Sequence, residues 1–279
     1  MSKRIFKKGR LVDLLVHVPS FNDTFSAIPD ADLPTIFSKL VKSKRLCAVG
    51  LVKSQNEDLW LKTFHLLRNL GVYPIPVVQV TFEILNCKRF TFSCYFPPEE
   101  PKQVTIEFER RFESLNQLKF STKMQALMDL MQLTSGFLLP TKVDLTPSSI
   151  QCVPMLRKDW GIYTFDIIYQ DSIAEIETLL RGEKFQCIAC SDALMLSQIA
   201  SRSISVSEGN INFTSLRSFI KGKNNKFKYS INLHPTGVFR EKFHDHLIEI
   251  GLNFKQPLLN SLQNFECQLL SHNQSLGCT

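Results

Sequence analysis

Residues 77–109 read VVQVTFEILNCKRFTFSCYFPPEEPKQVTIEFE. Val78, Val80, Phe82 and Ile84 alternate with Gln79, Thr81 and Glu83. Phe90, Phe92, Cys94 and Phe96 alternate with Thr91, Ser93 and Tyr95, and Val104, Ile106 and Phe108 with Thr105, Glu107 and Glu109. Successive side chains of a strand point to opposite faces, so the stretch predicts three strands of an antiparallel meander with one apolar and one wet face. Asn86–Arg89 supplies a short hairpin joint, and the prolines at 97, 98 and 101 a wider turn. The expected fold class is α+β: antiparallel, sandwich-like sheets covered by a few helices in two subdomains, rather than a parallel α/β core. In that reading the meander is scaffold, and the functional surface lies off it.

Upstream, Leu11–Val18 predicts a strand, Leu33–Arg45 a helix with Ile36, Phe37, Leu40 and Val41 on one stripe, and Leu46–Val52 a short apolar strand. Glu57–Leu70 predicts a helix: Trp60, Leu61, Phe64 and Leu67 recur at helical spacing, acids open it, Arg68 lies in its last turn, and Gly71 is placed as a left-handed cap. Downstream, a helix is expected from Ser121, with Met124, Leu127, Met128 and Met131 inward. Tyr163–Tyr169 predicts a strand, and Ser172 with Glu175 a capping box for the helix that follows. Strands are expected at 185–190, 204–206 and 227–233, and helices at 191–202, 214–221 and 236–250. Prolines 140, 147 and 154 mark the expected linker. The domains are then a basic tail at 1–10, an N-terminal α+β domain at 11–139, a linker at 140–159 and a C-terminal α+β domain at 160–279.

The chain has 279 residues, 44% hydrophobic and 21% charged, ordinary for a globular protein with a real core. Its net charge of +7 is unevenly placed. Residues 1–10 contain Lys3, Arg4, Lys7, Lys8 and Arg10 without an acid, and two further basic windows follow: Lys39, Lys42, Lys44, Arg45 and Lys53, then Arg217, Lys221, Lys223, Lys226 and Lys228. Clustered cations attract phosphate surfaces, whether lipid headgroups or nucleic acid, so these residues, Lys53 excepted, form the candidate binding set. The competing reading of each window is a solvated surface segment. Asp13 and His17 interrupt the one apolar run that could pass for a signal peptide, no run of 18 apolar residues exists, and the eight cysteines lack small-scaffold spacing. Reduced thiols in a cytosolic or nuclear protein are expected.

No catalytic motif is found. Cys187 and Cys190 form a CxxC without a second pair, and alternating burial on a strand explains it better than zinc or redox chemistry. His244 and His246, two apart on an expected helix, point away from each other. GxSxG and glycine-rich phosphate loops are absent, so neither an enzyme nor a cofactor is expected. Lys226–Tyr229 and Lys88–Phe92 interleave cations with aromatics as a base-stacking platform would, yet the aromatics keep core alternation.

Read as helix, strand, helix, proline turn and alternating strands, residues 37–98 resemble rhabdovirus matrix proteins, those of plant nucleorhabdoviruses among them. The likeness is carried by KRLCAVG (44–50), WLKTFHLLRNLG (60–71) and PVVQV (76–80), with weaker echoes in WGIY (160–163) and VFREK (238–242). The budding motifs frequent in such proteins are absent. The resemblance implies a non-enzymatic structural protein of the virion, in the host cytoplasm at the inner face of membranes or in the host nucleus. It implies self-association into a homo-oligomer, binding of an anionic membrane surface through the basic residues above, and bridging to the viral nucleoprotein and RNA. A nuclear import receptor could also read the tail. The competing class is a single-stranded nucleic-acid-binding or plant viral movement protein.

Overall fold

The computed structural model describes residues 10–18, 33–84, 87–115, 118–194, 198–208, 211–223 and 228–233. All belong to one compact unit, Met1–Gly237; Val238–Thr279 forms a second. The expected helix at 236–250 lies outside the described residues.

The first 84 residues build a β-α-β-α-β unit: β1 (Arg10–His17), α1 (Leu33–Ser43), β2 (Leu46–Val52), α2 (Glu57–Asn69) and β3 (Tyr73–Ile84). The three strands pair in parallel, β1 with β2 and β2 with β3. Strands of this kind are covered on both faces and read as continuous apolar runs. LCAVGLV of β2 is such a run, and only Cys47 in it is not fully buried. One face packs on Phe37 and Val41 of α1 and on Trp60, Phe64 and Leu67 of α2. The Trp60 indole donates to the Leu51 carbonyl at 3.3 Å, so its bulk is buried without leaving its N–H unpaired. Asn56 caps α2 by accepting from the Leu59 amide at 3.1 Å, and Gly71 takes the left-handed φ of +73° expected of it.

β4 (Cys87–Tyr95) returns antiparallel to β3, so the hairpin is as the alternation predicts. The third segment is not a strand. Residues 104–109 lie in α3 (Pro101–Glu113), where Pro101 opens the first turn. At helical spacing Thr105 and Phe108 are buried with Val104 and Phe112 beside them, Ile106 faces solvent, and Glu107 pairs with Arg110 and Arg111. The same letters satisfy periods of 2 and 3.6, and the N1 proline and ion pairs favour the helix.

After α4 (Phe120–Leu133), β5 (Phe137–Pro140) pairs antiparallel to β4 and so runs in the direction of β3. The stretch 140–159, read as a linker, holds α5 (Pro147–Ile150) and α6 (Val153–Trp160), whose Ile150, Val153 and Leu156 are fully buried. β6 (Thr164–Asp166) and β7 (Gln186–Ile188), joined by α7 (Ser172–Leu180), pair in parallel. β8 (Ser203–Glu208) pairs antiparallel to the first part of β1, and β9 (Lys228–Asn232) borders β8; α8 (Phe213–Ile220) lies between them in sequence. The large sheet has the order β5-β4-β3-β2-β1-β8-β9. It curls, because Val143 donates to the Asp166 carbonyl at 3.0 Å and Val16 bridges Ala193 in parallel, linking β5 to β6 and the exit of β7 back to β1. The fold is therefore a mixed α/β, barrel-like ring in which β1, β2, β3, β5, β6 and β7 point one way and β4 the other, in place of the antiparallel sandwich expected.

Two local expectations also change. Ser172 is inside the first turn of α7 rather than capping it; Asp171 is the cap residue, and the buried Ser172 hydroxyl has no partner among the described residues. The described part of 191–202 is a loop, with Asp192 at φ +49° and Ala200 at φ +61°, because its amides serve Asp13 rather than a helix.

Candidate functional site

The six co-directional strands end at one rim, here the exit rim. His17 is the last residue of β1, Lys142 lies two residues past β5, Asp166 closes β6, and Asp192 follows β7. His17 Nε2 and Asp192 Oδ1 are 2.9 Å apart, and the Lys142 ammonium pairs with the other oxygen of Asp192. The His17 side chain is 23% exposed and those of Lys142 and Asp192 13% each, so the cluster is sheltered yet reachable. Burial alone would raise Asp192, but the Lys142 ammonium and the His17 ring override it and hold the carboxyl far below its usual range. Lys142 and Asp192 both occupy left-handed backbone, φ +50° and +49°, a conformation costly for side-chain-bearing residues and found preferentially at functional sites. Lys53, one residue past β2, reaches the same rim and pairs with Glu109 of α3.

Beneath the rim three fully buried carboxylates bind the loops to the strands. Asp13 accepts from the Ser191 and Ala200 amides at 3.0 and 3.1 Å, and Asp144 from Ile168 and Tyr169 at 2.8 and 2.9 Å. Asp166 accepts from Cys190 and Lys142 at 2.9 and 3.1 Å. The buried Arg202 guanidinium donates to the Ile167 carbonyl at 3.1 Å. Desolvation pushes Asp13 up to about 6 and Asp166 up to about 7, against the hydrogen bonds each accepts and, for Asp166, the nearby Arg202. A raised folded pKa means the native state holds its proton more tightly than the unfolded chain. That contribution to stability is complete below about pH 4 and is lost as pH rises through 7. Between pH 5 and 8 the stability of wild type relative to Asp166→Asn is therefore expected to fall by about 3 kcal/mol in urea unfolding. A difference that is flat with pH would rule this out.

Cys187 and Cys190 are buried, and burial pushes the Cys187 thiol up to about 12 and Cys190 well up, the opposite of an activated nucleophile. Among the described residues no group of three or more His, Cys, Asp or Glu side chains is placed to hold a metal ion. The donor set is that of acid–base chemistry, with one imidazole, its carboxylate and an ammonium.

None of the residues of the candidate binding set joins this cluster; Lys53, from the second basic window, reaches the rim but pairs with Glu109. Lys3, Arg4, Lys7, Lys8 and Lys226 lie outside the described residues. Lys39, Lys42, Lys44 and Arg45 are exposed on and just after α1, and Lys42 Nζ caps α2 through the Leu70 carbonyl at 2.7 Å. Arg10 is exposed at the start of β1, Arg217 half-buried on α8, and Lys221, Lys223 and Lys228 are exposed. Within Lys226–Tyr229, where core alternation was favoured over a base-stacking platform, the Tyr229 ring packs edge-on to Phe219, 4.9 Å between centroids, and Phe227 lies outside the described residues. The residues that sequence reasoning missed carried a signal. An acid and a histidine inside the apolar run LVDLLVH are polar groups in a strand, Asp13 fully buried and His17 half-buried, which require partners brought from elsewhere.

The sequence matches no known protein family and no curated protein. Among solved structures it is similar in fold to the lesion-specific endonuclease PfuEndoQ from Pyrococcus furiosus, with a TM-score of 0.54 and 16% identity over 80% of this chain. The match spans only 57% of that enzyme's length. It also matches PsfC from Pseudomonas syringae, with a TM-score of 0.46 and 14% identity over 86% of this chain and 99% of that one. The shared fold overturns the resemblance to viral matrix proteins. With it go the virion-assembly role, which followed from that resemblance, and the movement-protein alternative; the expectation that the protein is not an enzyme, drawn from the lack of familiar catalytic motifs, is overturned by the likeness in fold to an endonuclease. No helix among the described residues is long and apolar enough to cross a membrane.

Proposed function

We propose that the protein hydrolyses a phosphate ester at the exit rim, with His17 as general base and acid and Asp192 as the carboxylate that orients it. The observation that carries this reading is the 2.9 Å contact between His17 and Asp192, with Asp192 anchored in turn by Lys142, at the strand ends where barrel enzymes place their chemistry. The fold shared with an endonuclease favours phosphate esters among possible substrates. Nδ1 of His17 has no hydrogen-bond partner among the described residues and is the nitrogen left to act. It would take a proton from water as the water oxygen bonds to phosphorus. The ester P–O bond then breaks, and the departing oxygen receives that proton from the imidazolium, leaving a phosphate and an alcohol. Asp192 stabilises the imidazolium, and Lys142 keeps Asp192 ionised and in place.

Hydrolysis of bis(p-nitrophenyl) phosphate and of end-labelled oligonucleotides by the whole protein tests the reading. His17→Ala and Asp192→Asn are expected to lose about 100- to 10,000-fold in rate while remaining folded by circular dichroism. Absence of turnover by wild type, or a His17→Ala variant as fast as wild type, rejects it. Loss of thermal stability with an unchanged rate per folded molecule would make the cluster a structural clamp, and rejects it too.

A further inference from the structure

Paired residues of adjacent strands share a face, and one row of pairs crosses five strands: His17 of β1, Val52 of β2, Val77 of β3, Tyr95 of β4 and Phe137 of β5. The last four pack in the cluster that also holds Leu15 of β1 and Ile188 of β7, so the row faces the inside of the ring. Tyr95 and Phe137 stack there, 4.5 Å between centroids. β1 and β2 end at this row. β3 runs on to Ile84 with β4 paired to it, and β5 stays paired with β4 as far as Pro140. The β3–β4–β5 wall therefore overshoots the rim on which His17 lies.

The inner face turns polar on the overshoot. Two residues past the row, Gln79 stands opposite Ser93. Four past it, Thr81 stands opposite Thr91 with their hydroxyls 3.2 Å apart, and Thr141 Oγ1 donates to the Thr91 carbonyl at 2.9 Å. At about 3.3 Å per residue these positions lie about 7 and 13 Å beyond the His17 row. Lys142 follows Thr141 directly, so the polar strip runs into the cluster of Lys142, Asp192 and His17. Polar residues and a Thr–Thr pair are ordinary on the solvent side of a hairpin. Here the outer face is the covered one, where Val80, Phe82, Phe90 and Phe92 pack on Phe108 of α3 and Met124 of α4. The strip instead continues the face that lines the ring. Thr81 is exposed, and Gln79 and Thr91 are half-buried. Ser93 and Tyr95 are fully buried neighbours, and neither hydroxyl makes a hydrogen bond of good geometry among the described residues. Buried hydroxyls kept in that state mark a place where a polar ligand or water completes them.

The strip carries hydroxyls and one amide, which both donate and accept, and the ammonium of Lys142 stands at its end. That order matches a phosphate joined to a hydroxylated skeleton. We propose that Gln79, Thr81 and Thr91 bind the sugar of a sugar phosphate whose phosphate lies at His17, free or as part of a nucleotide. Ser93, opposite Gln79, orients the amide. The assignment rests on the phosphate-ester reading for the position of the phosphate.

Titration of the full chain with ribose 5-phosphate, with adenosine monophosphate and with inorganic phosphate as reference, followed by amide NMR signals, tests it. Wild type is expected to bind at least one of the two sugar phosphates about 10-fold more tightly than inorganic phosphate, the worth of one or two neutral hydrogen bonds. The two arms tell a free sugar phosphate from a nucleotide. Gln79→Met with Thr91→Val, which keep side-chain shape, are expected to erase that preference and leave the affinity for inorganic phosphate unchanged. If the double variant melts lower than wild type, Thr81→Val alone, at an exposed position, is expected to cost about 3-fold toward the sugar phosphate only. His17→Ala should keep the preference, and so the hydrolysis reading can fail while this one stands. The proposal is overturned if wild type prefers neither sugar phosphate to inorganic phosphate. It is equally overturned if the substitutions leave the preference intact or weaken all three ligands alike.

Discussion

Gly50→Ala is expected to abolish accumulation of folded protein, with a cost above about 5 kcal/mol that would exhaust the stability of an ordinary domain. A Cβ at position 50 would stand 1.9 Å from the Leu14 carbonyl oxygen and 2.5 Å from its carbon. Both are backbone atoms and cannot swing aside as a side-chain tip can. The close approach follows from the pairing: Asp13 is opposite Val49 and Val16 opposite Leu51, so β1 carries one extra residue across Gly50 and its backbone bulges toward β2. Relief would require the two central parallel strands to part, and these strands hold both the α1–α2 core and the rim residue His17. Gly161→Ala is the control. It sits at φ +64° with nothing within 4 Å of the added carbon, and its expected cost of about 1 kcal/mol is that of left-handed backbone alone. Urea unfolding of both variants decides the point; a Gly50→Ala protein within 1 kcal/mol of wild type would show that β1 and β2 do not meet in this register.

Asp144→Ala comes next in size, at about 3–5 kcal/mol. The carboxylate is fully buried and holds the Ile168 amide with both oxygens, at 2.8 and 3.0 Å, and the Tyr169 amide at 2.9 Å. Those amides lie just past β6, where the chain leaves the ring. Alanine would strand two buried N–H groups in an apolar wall of Ile167, Val143 and Phe165, where water cannot replace the lost acceptor. Asp144→Asn keeps one acceptor oxygen, and a smaller loss of about 1–3 kcal/mol is expected. Asp129→Ala, which removes an exposed contact from Gln125 at 2.9 Å, should be near neutral. Equal unfolding midpoints for Asp144→Ala and Asp129→Ala would refute the structural role given to this carboxylate.

Much of the fold was legible, and the misreading came from weighting. Leu11–Val18, Leu33–Arg45, Leu46–Val52, Glu57–Leu70 and the strand after Tyr73 are all elements of the kind their sequence predicts, and together they spell strand, helix, strand, helix, strand. That alternation is the mark of parallel β-α-β units, and the unbroken apolar run of β2 agrees with it. The regular alternation of 77–109 pulled the interpretation toward an antiparallel meander instead. It holds for β3 and β4 in the half of the hairpin where Gln79 and Thr81 are less buried than Val78, Val80 and Phe82. It misled at Val104–Phe108, because a short segment of apolar residues two apart also contains pairs four apart, and only the neighbours of a segment choose between the two periods.

The sequence by itself determined the identity of most elements, the strand–helix order of the first 84 residues, the β3–β4 hairpin and the cap at Gly71. Each depends on side chains a few residues apart and on backbone preferences that act locally. Only the tertiary structure decided that the sheet curls into a ring, that Asp13, Asp144 and Asp166 are buried together beneath one rim, and that His17, Lys142 and Asp192 meet on it. Those contacts join the ends of strands far apart in the chain, and each carboxylate finds its partners in amides of a distant loop. Such pairing is set by which strands lie side by side, and no periodicity within a single segment encodes it.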